Sequence, residues 1–466
     1  MKDQPSEHAT VIEEIAHWAA GVGNDWPDSA VRPAMDAITD TIACMVSGAT
    51  DEAAIGVRNT LVGWAAPGAA TGATIISDSR RLPAPFAAFA NGTAAHAQDF
   101  DDNFMAALTH ASAVLVPAIL AVAEETGASG ADVIDAYIVG LECHAAIGRG
   151  VNRAHYMKGW HATATVGCIG TAAACARLLG LSANQTAHAM SLGVSMAAGV
   201  KGQFGSHAKP FQAGMAAQNA VLAANYAKNG VIGRTEVLEN DYGFMNLFVG
   251  EGAPGWDFTK HPVGEPLVVE AVGLAPKCHP CCGSTHKSVD NLLDLKKSHG
   301  IGPNDVAAIH CLVNTSNVRN LCFDDPRNEM EARFSMQYCM AVALKHGFLS
   351  LADFTPDAVQ RQDIRDLLAL TTMDATPPEA ELNPSGVYTH ELTVTLKSGE
   401  VLKTSRTAAR GTLGDPFTDD DRWRKFEDCC TPVLGAERTA ALFETLGGLA
   451  ELDDVGALMN DAAATA

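Results

Sequence analysis

The chain has 466 residues, a formal net charge of −22, and hydrophobic residues at 47% of its positions against 18% charged residues. This apolar content excludes a disordered chain, and the acidic balance argues against nucleic acid and anionic membranes as partners. The length predicts two or three domains.

Cysteine usage and the N-terminus indicate a compartment. The twelve cysteines are scattered through a long chain, which is typical of a reducing cytoplasm and not of a disulfide scaffold. Residues 1–14 are polar and lack a signal-peptide pattern. We therefore predict a soluble, cytoplasmic protein. The apolar bias further predicts buried subunit contacts in a homodimer.

Helical periodicity dominates the first 250 residues. Alanine-rich runs at 162–176 and 213–224 predict helices that approach one another closely, and Ser129 is a candidate N-cap. The predicted helices are 8–20, one starting at 29, 34–46, 83–97, 114–125, 132–148, 163–179, 183–198 and 213–229.

The pattern changes near Gly250, after a stretch rich in glycine and proline. Alternating residues predict strands at 267–272 and 308–313, and a hairpin of 390–396 with 401–407 around the turn 397–400. Helices are predicted at 285–299 and 335–346, and helical periodicity returns over 419–459. This part reads as α+β, followed by a helical end.

Two motifs suggest a nucleotide site and a metal site, and neither is the favoured interpretation. Gly250 to Gly255 has dinucleotide-fingerprint spacing, but no helix opens after it and Pro254 interrupts it. Cys278 and Cys281 have ligand-like spacing beside Cys282 and His286, which leaves zinc or an iron–sulfur cluster as an alternative. No second Cys-x-x-Cys pair completes such a site, so small buried thiols are the favoured interpretation.

Several segments place ionisable groups beside glycine, proline or a turn. Each alone has an ordinary structural explanation, since a lone histidine is usually a hydrogen-bonded packing residue and a run of acids is usually a solvated helix start. The segments are 96–103 with 109–110, 158–161, 205–210, 277–286 and 333–338.

In this order, the segments resemble the MmgE/PrpD family over residues 36–411. The most specific part is Asn-Gly-Thr-Ala-Ala-His at 91–96 leading into Asp-Phe-Asp-Asp at 99–102. The resemblance implies a mainly α fold. A large all-helical domain (1–260 and 412–466) would join a smaller α+β domain (261–411), with the active site in the cleft between them. It implies no metal and no organic cofactor.

The resemblance also implies site roles for six residues, Asp99, His110, His161, Lys209, Lys277 and Tyr338, to which we add Asn103 and His286. The family's reactions pass near a carbanion beside a carboxylate, so a base must reach the proton and positive charge must meet the developing enolate. We predict His161 and Lys209 as proton-transfer groups on opposite faces. The expected catalytic residues are His161, Lys209, Asp99 and Tyr338, and the expected substrate-binding residues are Lys277, His110, Asn103 and His286.

Two departures from the family pattern direct the prediction of activity. Asn103 stands where a threonine is usual and Ala111 where a proline is usual, and the loop from Asp99 to His110 is one residue longer than in a decarboxylase. We therefore predict a cofactor-independent epimerase of an aminopolycarboxylate resembling iminodisuccinate. The alternatives are a hydro-lyase for a 2-methylcitrate-like substrate, a cis-aconitate-type decarboxylase, a metal-dependent lyase and a non-catalytic binding protein.

Overall fold

The computed structural model describes residues 9–65, 72–377 and 388–463. The predicted helical series is present, with the predicted segments from 29 and 34–46 joined in one helix. His8, the first residue of the predicted helix 8–20, lies outside the described residues. The first helices, α1 to α10, are Val11–Gly21, Asp28–Gly48, Glu52–Trp64, Ala84–Ala97, Ser112–Thr126, Gly130–Val151, Ala154–Lys158, Ala162–Leu178, Ala183–Met196 and Ala208–Lys228.

Small residues let two helices of this series touch backbone to backbone. A Cβ added at Gly92 of α4 would lie 2.9 Å from the Cα of Gly214 in α10, and one at Gly214 would lie 2.4 Å from the Phe89 carbonyl oxygen. Glycine is needed there because any side chain would force the helices apart. This close contact brings the end of α4 beside the start of α10.

Capping explains where several helices begin. The Ser129 side chain accepts a hydrogen bond from the Asp132 amide, and the Asp132 carboxylate accepts one from the Ser129 amide, so the predicted cap of α6 is confirmed. Inside the series, α2, α5, α6 and α8 form a core that also contains the C-terminal residues Phe426, Leu442 and Leu458.

The second core belongs to a mixed sheet and its helices. A short hairpin of β1 (Ala73–Thr74) and β2 (Arg81–Leu82) lies apart from it, against the helical series. Strands β3 to β6 are Val306–Val313, Thr371–Ala375, His390–Leu396 and Val401–Arg406, and helices α11 to α17 are Val268–Ala271, Gly283–His299, Thr315–Asn320, Glu329–Ala332, Met336–His346, Pro356–Val359 and Gln362–Leu368. The chain then closes with α18 to α20, which are Asp419–Leu434, Ala436–Gly447 and Gly456–Ala462.

The sheet has the strand order β4-β3-β5-β6, in which β3 and β4 are parallel and the other pairs antiparallel. Ile309 faces Val394, which faces Leu402, so buried side chains continue across three strands. The predicted hairpin is confirmed, and Gly399 takes the positive φ of 92° that its turn requires.

One strand prediction is wrong. Leu267 to Val272 contains the helix α11, and Val268 and Val269 are both buried. Two successive buried residues do not fit a strand with one solvent face. The Glu142 carboxylate accepts a hydrogen bond from the Val268 amide at the start of this helix, which suits a helix N-terminus.

The predicted fold class, mainly α with a smaller α+β part, is confirmed. The boundaries at residues 261 and 411, and the homodimer, stay predictions. None of the described helices combines the length and apolar character that crossing a membrane demands.

Candidate active site

The acidic loop between α4 and α5 is buried. Asp99, Asp101 and Asp102 are each no more than 3% exposed, which rules out a solvated helix start. Asp99 has a φ of 52°, in the left-handed region that aspartate tolerates better than most residues. This turn separates the Asp99 side chain from the neighbouring acids, so they meet different partners.

The Asp99 carboxylate lies between two lysines that come from distant parts of the chain. Lys209, in the first turn of α10, forms an ion pair with Asp99. The Lys277 Nζ lies 3.0 Å from Asp99 Oδ1 and donates a hydrogen bond of 2.7 Å to the Asp99 carbonyl. Burial opposes ionisation, yet the two ammonium groups outweigh it and hold the pKa of Asp99 below its usual range.

The ammonium group of Lys209 also faces two aromatic rings. Its Nζ lies 5.3 Å from the centroid of Phe204 and 5.2 Å from that of Phe334. The two rings are 5.9 Å apart and come from distant parts of the chain, Phe204 preceding α10 and Phe334 preceding α15. The cation is therefore held in an apolar wall, where its charge is poorly screened.

Two further lysine contacts fix the loop backbone. The Lys425 Nζ in α18 donates 2.7 Å to the Phe100 carbonyl and pairs with Asp40 at 2.7 Å. Lys277 holds the carbonyl of the preceding residue, Asp99. Two consecutive carbonyls of the acidic loop are thus bound by lysines that follow residue 250.

Asp101 binds two histidines. The His96 Nδ1 lies 2.8 Å from Asp101 Oδ2, and the His110 Nδ1 lies 3.2 Å from the same oxygen and 2.8 Å from the Asp102 carbonyl. Burial lowers the pKa of both histidines, that of His110 to about 3, so both rings are neutral. Since a carboxylate and a carbonyl only accept, we assign the proton to Nδ1 in each ring, which leaves Nε2 a lone pair.

His161 is a neutral imidazole of the same kind. It stands at the N-terminus of α8, and its Nδ1 lies 2.7 Å from the Gln212 Oε1. The Gln212 Nε2 donates to the Val200 carbonyl at 3.3 Å, which orients its oxygen towards His161. Burial, followed by the neighbouring His96 and Lys209, holds the pKa of His161 well below its usual range. Its Nε2 therefore carries a lone pair.

Three buried atoms of this cluster have no hydrogen-bond partner within the described part of the chain. They are the Nε2 atoms of His96 and His161 and the Oδ2 of Asp99. The His96 ring lies 5.7 Å from that of His161 and 4.5 Å from that of His110. Each unpaired buried polar atom costs about 1–3 kcal/mol, so their concentration here marks a place for a polar ligand.

The structure thus brings together five of the eight predicted residues: Asp99, His110, His161, Lys209 and Lys277. Asn103 adjoins them on the loop, where its backbone exchanges two hydrogen bonds of 2.9 Å with Ala275.

Tyr338 and His286 lie in the second core. Within the residues that the structure describes, neither side chain contacts the Asp99 cluster. The Tyr338 hydroxyl donates to the Asp353 carbonyl at 2.5 Å. The His286 Nε2 lies 3.2 Å from the Cys281 carbonyl, and its ring is 5.1 Å from that of His279. Their roles stay predictions.

His96 and Gln212 were missed as site residues. His96 lies in the most specific family motif, but the sequence gives no sign that its ring binds Asp101. Gln212 contacts His161 across 51 positions, and no local pattern marks it.

A metal ion does not suit the cluster. Ligand atoms of His96, Asp99, Asp101 and His110 lie within 4.8 Å of one another. Lys209 and Lys277 already form ion pairs with the Asp99 carboxylate, and their positive charges would repel a metal ion. In the described ranges no other group of three histidine, cysteine or acidic ligands meets this criterion, so the cysteines at 278–282 form no such set.

A separate cavity of about 430 Å³ lies behind the acidic loop, with Asp102 in its wall. Its lining is mainly apolar, as at Phe417 and Phe443. Its arginines form ion pairs with acidic residues of the same wall, such as Arg422 with Asp36 at 3.0 Å. This cavity contains none of the unpaired atoms and is not the candidate site.

Comparison with known proteins agrees with the motifs. The model of the MmgE/PrpD N-terminal domain matches residues 13–257, and that of the MmgE/PrpD C-terminal domain matches residues 279–446. Human cis-aconitate decarboxylase is 28% identical over 387 residues, covering 81% of this chain and 79% of the human protein. The Aspergillus terreus cis-aconitate decarboxylase is 27% identical over 469 residues, covering 92% of this chain and 93% of the relative.

These relatives overturn the predicted activity. The expected epimerase, an isomerase for an iminodisuccinate-like substrate, is wrong, because the relatives are decarboxylases and therefore lyases. The structure also shows where the residues behind the epimerase prediction lie. Asn103 is fixed through its backbone, Ala111 is buried ahead of α5, and the longer loop still places His110 on Asp101. The sequence departures therefore leave the charged cluster intact.

Proposed function

Because this chain belongs to the MmgE/PrpD family, we propose that it is a lyase that decarboxylates a small tricarboxylate of the cis-aconitate type. The observation that carries the proposal is the buried Asp99 carboxylate between Lys209 and Lys277, next to the unpaired Nε2 of His161. The similarity to cis-aconitate decarboxylases supports the substrate class.

The proposed step balances with one added proton. The bond between the CH2 carbon and its carboxylate breaks and releases CO2, and its electron pair forms a new double bond to the central carbon. The original double bond shifts its electrons onto the CH carbon, beside a remaining carboxylate. That carbon then takes a proton.

The residues suit this step. Lys277 and Lys209 are buried and offer positive charge where the enolate-like oxygens develop. The Lys209 ammonium is our proposed proton donor. The neutral His161 ring brings no charge to the departing carboxylate, which favours its loss as neutral CO2. Asp99 holds both ammonium groups in place before the substrate arrives.

The test uses the purified protein and cis-aconitate in D2O. We expect CO2 release and, by proton NMR, a product with one deuterium on the carbon beside the retained carboxylate. Absence of CO2 with an intact fold would overturn the proposal. Loss of water from 2-methylcitrate without CO2 would support the hydro-lyase alternative instead.

A further inference from the structure

The charged cluster has no excess positive charge for a trianion. The low pKa values of Asp99 and Asp101 keep both carboxylates ionised, and they balance the ammonium groups of Lys209 and Lys277. The three histidines are neutral because burial lowers their pKa values. The whole chain, at a net charge of −22, repels anions at long range. A tricarboxylate therefore needs further cations near this cluster.

Lys201 is one such cation. It begins a short 3-10 turn, Lys201–Gln203, and its amide donates 2.8 Å to the Gly159 carbonyl. The adjacent residue Val200 is bridged to Trp160, and the His161 amide donates to the Gly199 carbonyl. The backbone that carries Lys201 is therefore tied to the segment that carries His161.

The Lys201 side chain lies on an aromatic bridge between the two cores. Its Nζ stands 3.6 Å from the centroid of the Tyr156 ring. The Tyr156 hydroxyl accepts a hydrogen bond of 3.4 Å from the Asn320 Nδ2, and Asn320 donates 3.2 Å to the Ser284 Oγ. Lys201 comes from the helical part and Asn320 from α13, so this contact joins the two parts of the chain.

Arg319, the residue before Asn320, is the second cation. Within the described ranges neither Lys201 nor Arg319 forms an ion pair with a carboxylate. Burial lowers the pKa of Lys201 to about 8, and the charge of Arg319 contributes to that lowering. Two cations without a carboxylate partner repel each other, and a bound anion lowers that repulsion.

Cys282 connects this pair to the Asp99 cluster. It stands two residues before Ser284, which accepts the hydrogen bond from Asn320. Burial raises the pKa of its thiol, on which the charges of Asp99 and Lys277 also act. The Cys282 amide donates 2.9 Å to the Arg333 carbonyl, next to Phe334, whose ring faces Lys209. Lys201 is thus connected to the Asp99 cluster on two sides, through the backbone next to His161 and through Asn320 and Ser284 next to Cys282.

We propose that Lys201 and Arg319 form a second carboxylate-binding subsite at this end of the cleft, which takes a carboxylate that the product retains. The proposal rests on the proposed tricarboxylate function. Lys201 and Arg319 then determine specificity, because a dicarboxylate bound at the Asp99 cluster does not reach this pair. The pair takes no part in bond breaking.

The test measures binding separately from turnover. Isothermal titration of the full chain uses tricarballylate, a saturated tricarboxylate, and glutarate, a dicarboxylate. For Lys201→Gln we expect tricarballylate affinity to fall about tenfold and glutarate affinity to change less than about twofold. For the more exposed Arg319→Gln we expect about a threefold fall for tricarballylate.

Two controls make the result specific. Lys201→Arg keeps the charge and should hold tricarballylate affinity within about threefold of wild type. Lys158→Gln removes an exposed lysine from the helix that carries Tyr156 and should leave both affinities unchanged. Equal losses for both ligands in Lys201→Gln, or unchanged tricarballylate binding, would overturn the subsite.

The outcomes also separate the two proposals. If cis-aconitate releases no CO2 while tricarballylate binding still depends on Lys201, the subsite stands and the decarboxylation falls. If CO2 is released at full rate and with unchanged KM in Lys201→Gln, the decarboxylation stands and the subsite falls.

Discussion

Two buried histidine clusters in this molecule differ in what their polar atoms bind. In the second core, the His279 Nε2 binds Asp290 at 2.9 Å and the His286 Nε2 binds the Cys281 carbonyl. No nitrogen or oxygen of these side chains is among the unpaired buried atoms of the described chain. Around Asp99, by contrast, three such atoms belong to neighbouring side chains, those of His96, His161 and Asp99 itself.

The difference separates packing from binding. A cluster whose polar atoms are paired internally stabilises the fold. A cluster with several unpaired polar atoms has a free-energy cost of burial that a bound ligand removes. Histidine content alone does not distinguish the two, since both clusters combine histidines with aspartate. The predictions below test this contrast, starting with the largest expected effect.

Removing a lysine from the Asp99 cluster should have the largest effect. In Lys209→Met we expect kcat for CO2 release from cis-aconitate to fall at least about 10³-fold, because the variant loses both the proton donor and a cation facing the enolate. Circular dichroism should show an unchanged helical signal. Lys158→Met is the matched control and should keep kcat. A near-normal kcat in Lys209→Met would remove Lys209 from the mechanism.

Replacing the neutral imidazole should have the next largest effect. In His161→Gln we expect kcat to fall about 10²-fold, since an amide alters the uncharged surface beside the departing carboxylate. Gln212→Met should cause a smaller fall, because it frees the His161 ring and its tautomer without removing it. If Gln212→Met lost more activity than His161→Gln, our assignment of the roles would be reversed.

The acidic loop also predicts a pH dependence of stability. Burial raises the pKa of Asp102 from 3.8 to about 7, so in the folded state this carboxyl stays protonated where the unfolded chain has lost the proton. The free energy of unfolding should therefore fall as pH rises from about 4 to about 7, by up to about 4 kcal/mol from this group.

Urea unfolding at several pH values measures this effect. In Asp102→Asn, whose amide does not titrate, the decrease between pH 4 and 7 should become smaller. An unchanged slope in the variant would show that Asp102 is ionised in the folded protein. Burial also raises the pKa of Glu142 to about 7, so Glu142→Gln should reduce the same decrease and gives the contribution of a carboxyl outside the loop.

The smallest effect is expected in the second core. His286→Asn should leave kcat within about twofold and lower the free energy of unfolding by about 1–2 kcal/mol, as expected for one buried hydrogen bond. Activity and urea unfolding measured on the same preparation give both values. A tenfold rise in KM with unchanged stability would instead place His286 at the substrate, as the sequence predicts.

The fold was predictable to the extent that its patterns are local. Helical spacing and the Ser129 cap located α6, and alternation with a glycine turn located the hairpin of β5 and β6. The predicted strand at 267–272 failed because the short helix α11 depends on a distant carboxylate, Glu142, which no local pattern indicates.

The candidate site was predictable only through the family resemblance. Asp99 meets Lys209 across 110 positions and Lys277 across 178, and periodicity says nothing about such distances. The orientation of His96 and Gln212 depends on packing, so both were missed. The predicted activity failed because two loop positions, Asn103 and Ala111, were given more weight than the unchanged cluster behind them.

The lysine contacts on the loop backbone also constrain how the protein is made. Lys425 reaches Asp40 across 385 positions and the Phe100 carbonyl across 325, and contacts of such sequence separation form late and slow folding. During synthesis the helices up to residue 228 leave the ribosome long before Lys425 does. Until then the acidic loop and Asp40 lack their contacts with Lys425. A ribosome-bound chain therefore completes this geometry only after α18 has emerged and docked.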